Sequence, residues 1–378
     1  MIEDPTIRWS EAGVECAARW RSENAVAPPK RVIIADDRLT VDAACRLASE
    51  GTAILWRGDF HNAKQLLQAL ARRLDRKKNK PASSPLEAFN QHRQAQSQRA
   101  RTLGMLLLQF EDDYRMDLRR APDVNQACIE AYGPADGPFV MSLRELLGMI
   151  GAHEWRKKGI DIPATGGRIH PQYGVFAPIR SEYIQLLNDA PLPATTLAFD
   201  IGTGTGVLAA VLAKRGVQKI VATDLDPRAR ACATENIARL GFADRVDVVE
   251  ADLFPPGCAP LIVCNPPWIP TRPSSPLEHA VYDPNSKMLR GFLYGLAAHL
   301  EPEGEGWLIL SDLAEHLGLR TRAELLAMFE HATLKVKTRI DIRPSHPRAA
   351  DSTDPLHAAR SKETTSLWCL LTRGSAIS

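Results

Sequence analysis

The sequence predicts an α/β protein: a doubly wound sheet of seven strands over residues 161–378, preceded by a mainly helical N-terminal domain over 1–160. Two observations carry this expectation. From about residue 173, short apolar runs alternate with amphipathic helical stretches, the pattern of a sheet covered on both faces. Before that point, apolar positions recur mostly at helical spacing.

In the first part, residues 38–50 and 60–74 read as helices, with Leu66, Leu67, Leu70 and Leu74 on one stripe. Between them Thr52-Ala53-Ile54-Leu55-Trp56, bounded by Gly51 and Gly58, reads as a strand. Residues 72–85 turn basic and loop-like. Helical pattern returns over 86–120, near 123–132 and over 141–157, and the Gly- and Pro-rich stretch 158–172 reads as a connection. In the second part the strand-like runs are 197–202, 219–226, 245–252, 260–268, 306–312, 334–344 and 366–373. Helices are expected at 206–215, 227–240 and 286–300. The last two runs read as an antiparallel pair joined by a long polar connection, 345–364, holding His346, Arg348, Asp351, His357 and Arg360.

At 378 residues and 44% apolar composition the chain can bury two cores. A net charge of +2 argues against a protein that binds polyanions over its whole surface. No apolar run is long enough to span a bilayer, and the opening residues lack the cationic and apolar blocks of a secretory signal. The seven cysteines are scattered, with no C-x-x-C pair and no zinc spacing, so reduced thiols, a cytoplasmic location and no metal are expected. Oligomeric state is not readable.

Asp200-Ile201-Gly202-Thr203-Gly204-Thr205-Gly206 follows a strand and opens a helix. A ligand lying across such a turn needs backbone with no Cβ in the way. A dinucleotide site would place its third glycine at 207, where Val stands. The implied ligand therefore has no pyrophosphate to rest on the helix N-terminus. Asp224, eighteen residues past Gly206 at a strand end, has the placement of a carboxylate gripping a ribose diol. Asp226 before Pro227 reads as a helix N-cap. Asp252, after the third strand, reads either as a border of the ligand or as a solvated loop acid.

Asn265-Pro266-Pro267-Trp268 falls where the fourth strand ends, on the edge where ligands of such sheets bind. The Asn265 side-chain oxygen and the Pro266 carbonyl would accept the two N–H bonds of an amide or exocyclic amine and oppose the charge growing on its nitrogen. Trp268 would offer a flat face to a planar group. The plain alternative is a Pro-Pro strand breaker with a core Trp.

Together these residues resemble the Rossmann-like class I S-adenosylmethionine-dependent methyltransferases that carry an N-P-P-aromatic loop. Two branches are similar: HemK-type glutamine methyltransferases and the small-domain ribosomal RNA guanine methyltransferases. The resemblance spans roughly 170–320. It implies S-adenosylmethionine as cofactor, contacted by Asp200, Gly202, Thr203, Gly204 and Gly206. It places Asp224, Leu225, Asp252 and Leu253 on the same cofactor, with Phe176 in the roof segment Tyr173–Pro178. Asn265, Pro266, Pro267 and Trp268 would act on the target nitrogen. Tyr282-Asp283-Pro284, Gly291 and Gly295 are loosely similar to the region that follows this loop in HemK-type proteins. The sequence departs from these groups in having Trp where they more often have Tyr or Phe.

The expected substrate is a protein glutamine amide of the translation machinery, with an RNA or DNA base amine as alternative. A small-molecule methyltransferase and a non-catalytic binding protein of the same fold are further alternatives. Between Lys64 and Arg101 ten Lys/Arg stand against Asp75 and Glu87, which fits phosphate contact or a solvated helix face equally. The N-terminal domain is expected to recognise the substrate.

Overall fold

The computed structural model describes residues 5–76, 81–273, 276–344 and 351–374. They divide into two compact units: Met1–Ala82 with Asn90–Glu154, and Ser83–Phe89 with Trp155–Ser378.

The first unit is built on a six-stranded mixed sheet, which corrects the mainly helical reading of its architecture. β1 (Thr6–Glu11) and β2 (Val14–Trp20) form a hairpin. It turns on Ala12-Gly13, where both φ angles are positive, as a two-residue hairpin turn requires. β3 (Arg31–Ala35), β4 (Thr52–Trp56) and β5 (Leu106–Phe110) run parallel, and β6 (Phe139–Ser142) pairs antiparallel to β5 and parallel to β2. The sheet order is β1-β2-β6-β5-β4-β3. The expected helices also form, at Val41–Ser49, Phe60–Asp75, Pro85–Leu103, Asn125–Tyr132 and Leu143–Lys158. Of the six strands only β4 was expected; β1, β2 and β3 were not read as strands, and β5 and β6 escaped because Leu-Leu-Leu-Gln-Phe and Phe-Val-Met-Ser are short and almost wholly buried. Periodicity does not separate such runs from buried helix.

In the second unit, the stretch expected as a bare connection folds into a small hairpin, β7 (Ile160–Ile162) and β8 (Gly167–Ile169). The main sheet follows. Its strands are β9 (Leu197–Ile201), β10 (Lys219–Asp224), β11 (Val246–Glu250), β12 (Ala259–Cys264), β13 (Leu300–Ser311), β14 (Leu334–Ile342) and β15 (Thr365–Thr372). Their order is β11-β10-β9-β12-β13-β15-β14, with only β15 antiparallel to its neighbours. The chain lays down β9, β10 and β11 in one direction, then returns to place β12 on the other side of β9. That reversal opens a crevice at the carboxyl ends of β9 and β12.

Near-continuous apolar strands follow from burial on both faces. Ala198, Leu261, Val263, Trp307 and Ile309 point to one core, while Phe199, Ile201, Ile262, Cys264, Leu308 and Leu310 point to the other. Val207–Lys214 is buried almost all round, as its Val-Leu-Ala-Ala-Val-Leu-Ala sequence demands. Pro227–Arg239 starts on Asp226, whose side chain accepts from the Arg228 N–H, so the expected N-cap is in place. Each fully buried Leu or Ile contributes roughly 1.5–3 kcal/mol.

The described part of the polar connection before β15 is partly buried. Leu356 and Ala359 are buried with Phe89, Ala314 and Leu317, and Arg360 pairs with Asp354 at 3.2 Å. His346 and Arg348 lie outside the described residues. All seven cysteines are free, and among the described residues no helix is long and apolar enough to cross a membrane.

Candidate active site

Strand register brings four chain ends to one level of the second unit's rim. Ile201 pairs with Thr223 on one side and Cys264 on the other, and Asp224 pairs with Glu250. The glycine loop, Asp224, the loop holding Asp252 and the Asn265 loop therefore leave adjacent strands side by side, about 5 Å apart per strand.

The glycine loop is fastened beneath and open above. Gly202 and Thr203 both donate backbone N–H to the Thr223 carbonyl at 2.9 Å. A Cβ on Gly206 would stand 3.2 Å from Ala233, so that glycine lets the helix Pro227–Arg239 approach. A Cβ on Gly204 would meet nothing within 4 Å. Its φ of 57°, costly for other residues, leaves bare backbone facing open space. Over Gly202 lies the Met288 methyl group.

Asp200 sits under this loop, 1% exposed. Its Oδ2 accepts from Thr203 Oγ1 at 2.6 Å and from the Ala209 N–H at 3.1 Å. Its Oδ1 is buried with no partner. Burial pushes this carboxyl up to about 6, against the two hydrogen bonds that favour its charged form. Asp224 accepts from the Gly204 N–H with one oxygen and from the Asp226 N–H with the other, both at 3.0 Å. Burial raises its pKa as well. Leu225 beside it is 56% exposed, an apolar surface at the rim.

The third loop is pinned to the rim by the Thr223 hydroxyl, which donates to the Leu253 carbonyl at 2.6 Å. Leu253 holds a φ of 72°, unfavourable for a branched residue. It is kept there because Gly291 makes room for its side chain and Gly295 makes room for Phe254, which stacks on His299 at 4.3 Å. The two glycines, four apart on the helix Lys287–His299, thus form one groove. Asp252 is exposed.

At the end of β12, Asn265 is half-buried and Pro266 buried. Trp268 donates its indole N–H to Asn265 Oδ1 at 2.9 Å. No described hydrogen bond ends on the Pro266 carbonyl. Trp268 is half-buried against both cores, so it is neither a simple core residue nor a free platform.

Several residues that sequence reasoning did not assign complete the site. The Arg180 guanidinium lies 4.9 Å over the Trp268 ring. It donates to Glu182 at 2.5 Å and to Glu363 at 2.9 Å. Burial opposes its charge, but Glu363 and Glu182 outweigh this and raise its pKa. Asp283 accepts from the Met288 and Leu289 N–H groups, and its own N–H donates to the Ile269 carbonyl. It ties the chain after Trp268 to the start of the helix Lys287–His299. Asn236, fully buried, accepts from the His170 N–H and donates to the Thr205 carbonyl, stitching the segment before the roof to the glycine loop. The roof segment is anchored by Val175, which packs on Ala229 and Cys232; Phe176 is half-buried within it. A charged residue two positions past an apolar roof was the one sequence signal for Arg180. Glu363 offered none, because 183 positions separate the two.

Chemically, this rim presents bare backbone at Gly204, a carboxylate at Asp224, the buried acids Asp200, Glu182, Asp283 and Glu363, and an amide–carbonyl pair on a rigid loop. An orphaned buried carboxylate oxygen and an open Cβ position fit a ligand that carries positive charge and lies against the loop.

The profile of the ribosomal protein L11 methyltransferase (PrmA) family matches residues 183–266. A release factor glutamine methyltransferase of Cereibacter sphaeroides is 35% identical over 139 residues, 33% of this chain and 50% of that protein. A tRNA1(Val) (adenine(37)-N6)-methyltransferase of Bacteroides thetaiotaomicron is 32% identical over 148 residues, 37% of this chain and 62% of its own length. The chain thus spans only about half to three fifths of these two relatives. The solved ribosomal protein L11 methylase of Lactobacillus delbrueckii subsp. bulgaricus superposes with a TM-score of 0.37 at 16% identity, covering 53% of this chain and 81% of that one. The family match runs through the glycine loop and the four strand ends described above, so over these residues the chain is similar to proteins named as methyltransferases of ribosomal protein L11, release factors and tRNA.

Proposed function

We propose that the protein transfers a methyl group from S-adenosylmethionine to a planar nitrogen, with a protein glutamine amide of the translation machinery as the first substrate. The observation that carries this reading is the placement of Asn265-Pro266-Pro267-Trp268 one strand away from the glycine loop, where no hydrogen bond among the described residues ends on the Pro266 carbonyl. S-adenosylmethionine supplies the electrophilic methyl group. Gly204 backbone, Asp224 and the exposed Leu225 hold its nucleoside end, and the Asp200 carboxylate offers negative charge near its cationic end. Asp252, Leu253 and Phe176 border it.

An amide nitrogen is a poor nucleophile because its lone pair is delocalised. Asn265 Oδ1 and the Pro266 carbonyl accept its two N–H bonds, which turns the lone pair toward the methyl group. The same dipoles stabilise positive charge as it develops on nitrogen. No charged base is needed before transfer; as the N–C bond forms the S–C bond breaks, S-adenosylhomocysteine leaves as the neutral thioether, and the cationic nitrogen then loses its proton to solvent. Pro267 stiffens the loop.

The first unit serves substrate recognition, and the protein acts in the cytoplasm. A nucleic-acid base amine is the second reading; exposed Lys64, Arg72, Arg76 and Arg101 on the first unit are compatible with it, and equally with a solvated helix face.

Labelled S-adenosylmethionine incubated with cell extract, then fractionated into protein, RNA, DNA and small molecules, tests all of this. Label in protein glutamine supports the first reading; label in RNA or DNA replaces it with the second. A melting-temperature rise with S-adenosylhomocysteine but no label in any fraction makes the protein a non-catalytic binder. In the variant Asn265→Ala transfer falls by at least about 10²-fold, the usual loss for a preorganised polar group, while S-adenosylhomocysteine still binds. Retained turnover removes the mechanism.

A further inference from the structure

We propose that Arg180 and the Trp268 indole N–H form a positioning chain that aims the Asn265 carboxamide at the acceptor nitrogen. The inference rests on the function proposed above and names groups that act through Asn265 rather than on the substrate.

A carboxamide has two ends of nearly equal size and opposite hydrogen-bonding sense. Turned the wrong way, Asn265 would present N–H to an N–H and repel the acceptor. The indole N–H is a donor only, so the end that meets it has to be oxygen. At 2.9 Å the Trp268 Nε1–H takes one lone pair of Asn265 Oδ1 and leaves the other for an acceptor N–H. A phenyl ring has no such donor. Trp at this position therefore does something that Phe could not.

The indole must itself be held for this to work. Arg180 covers one ring face at 4.9 Å and is gripped by Glu182 and Glu363, which are 2% and 4% exposed. Glu363 also accepts from the Ser311 hydroxyl at 2.7 Å. Next to it, Thr364 donates its N–H to Asp312 Oδ1 at 2.7 Å, and the Asp312 N–H donates to the Thr364 carbonyl at 3.0 Å. The orientation of one amide is thus secured from the helix Glu182–Asp189, the end of β13 and the entry to β15. A guanidinium on the ring also takes that face away from any stacking partner.

Two measurements on the full chain test this. With tryptophan labelled at the indole nitrogen, the Trp268 signal is the one of seven that Trp268→Phe removes. In Asn265→Ala that signal should shift and exchange with solvent at least about tenfold faster; an unchanged signal overturns the hydrogen bond. In transfer assays with the labelled acceptor fraction, Trp268→Phe should lower kcat on the order of tenfold. Its half-saturation should change less than about threefold, because the ring face remains. Arg180→Lys, which keeps the charge and loses the flat face, should lower kcat by a smaller factor, about threefold. S-adenosylhomocysteine should still raise the melting temperature of both variants, which shows that they fold. Wild-type kcat in Trp268→Phe, or a loss confined to half-saturation, overturns the positioning role and leaves the proposed function standing. Absence of transfer by the wild type removes both.

Discussion

The two units are both parallel-rich sheets with helices, yet their carboxyl-end rims differ in what is left unpaired. In the first unit the rim after β3 and β4 satisfies itself. Asp37 Oδ1 accepts from the Asp59 N–H and from Asn62, and Asp59 accepts from Arg120 and the His61 N–H. Arg57 donates to both oxygens of Glu11 and to Gln109. Arg57 and Asp59 have no buried polar atom without a partner, while elsewhere in the first unit Glu145 Oε2 is buried without one. In the second unit the corresponding rim leaves Asp200 Oδ1 and Glu182 Oε2 buried and unpartnered. An unpaired buried carboxylate oxygen costs stability unless a ligand repays it. The difference is one of place: unmet buried polarity also occurs in the first unit, at Glu145 Oε2, but not at Arg57 or Asp59, whereas in the second unit it lies beneath the glycine loop at Asp200.

The sharpest way to break this comparison is Asp224→Ala. A hydrogen-bonded charged group contributes about 1.5–3 kcal/mol, so affinity for S-adenosylhomocysteine should fall roughly 10- to 100-fold by calorimetry. Unchanged affinity would move the ligand away from the rim.

A second, smaller effect depends on pH. The Asp200 carboxyl is raised to about 6 from 3.8 by burial. The folded protein then binds more protons than the unfolded chain between those values, so stability falls as pH rises from about 4 to about 6. The loss is on the order of 3 kcal/mol and stays above pH 6. Asp200→Asn, which cannot ionise, should melt higher than wild type at pH 7.5, and the gap should close near pH 4. A positively charged ligand favours the ionised acid, so S-adenosylmethionine should bind more weakly as pH is lowered through about 6. Flat affinity between pH 5 and 7.5 would mean that Asp200 only braces the loop.

The smallest change is expected in the first unit. Arg57→Met breaks a half-exposed ion pair and should cost about 1 kcal/mol, a few degrees or less in Tm. It should leave S-adenosylhomocysteine affinity untouched. A drop in that affinity would show that the self-satisfied rim takes part in ligand binding after all.

Much of the second unit was legible because its chemistry is local. Gly202, Gly204 and Gly206 are read from their spacing, and Asp224 and Asn265 from their places at strand ends. The seven strand runs declare themselves through apolar content between turn residues. The first unit was less legible. The period-two alternation of Ile7 and Trp9 with exposed Thr6, Arg8 and Ser10 is the signal of β1, and the sequence reading did not take it up. The buried runs at 106–110 and 139–142 carry no period at all, and only pairing reveals them as strands.

What the sequence determined by itself is the alternation of elements in the second part and the identity of the groups that each strand delivers to the rim. Those depend on neighbours a few residues away, where periodicity and glycine's missing side chain act directly. Only the tertiary structure decided that Asp200 lies beneath the loop with one oxygen unmatched, and that Trp268 turns its N–H toward Asn265. It alone joined Arg180 to Glu363 across the chain. Hydrogen bonds and burial at such sequence separation depend on where the packed sheet sets each side chain, and nothing in local composition records that.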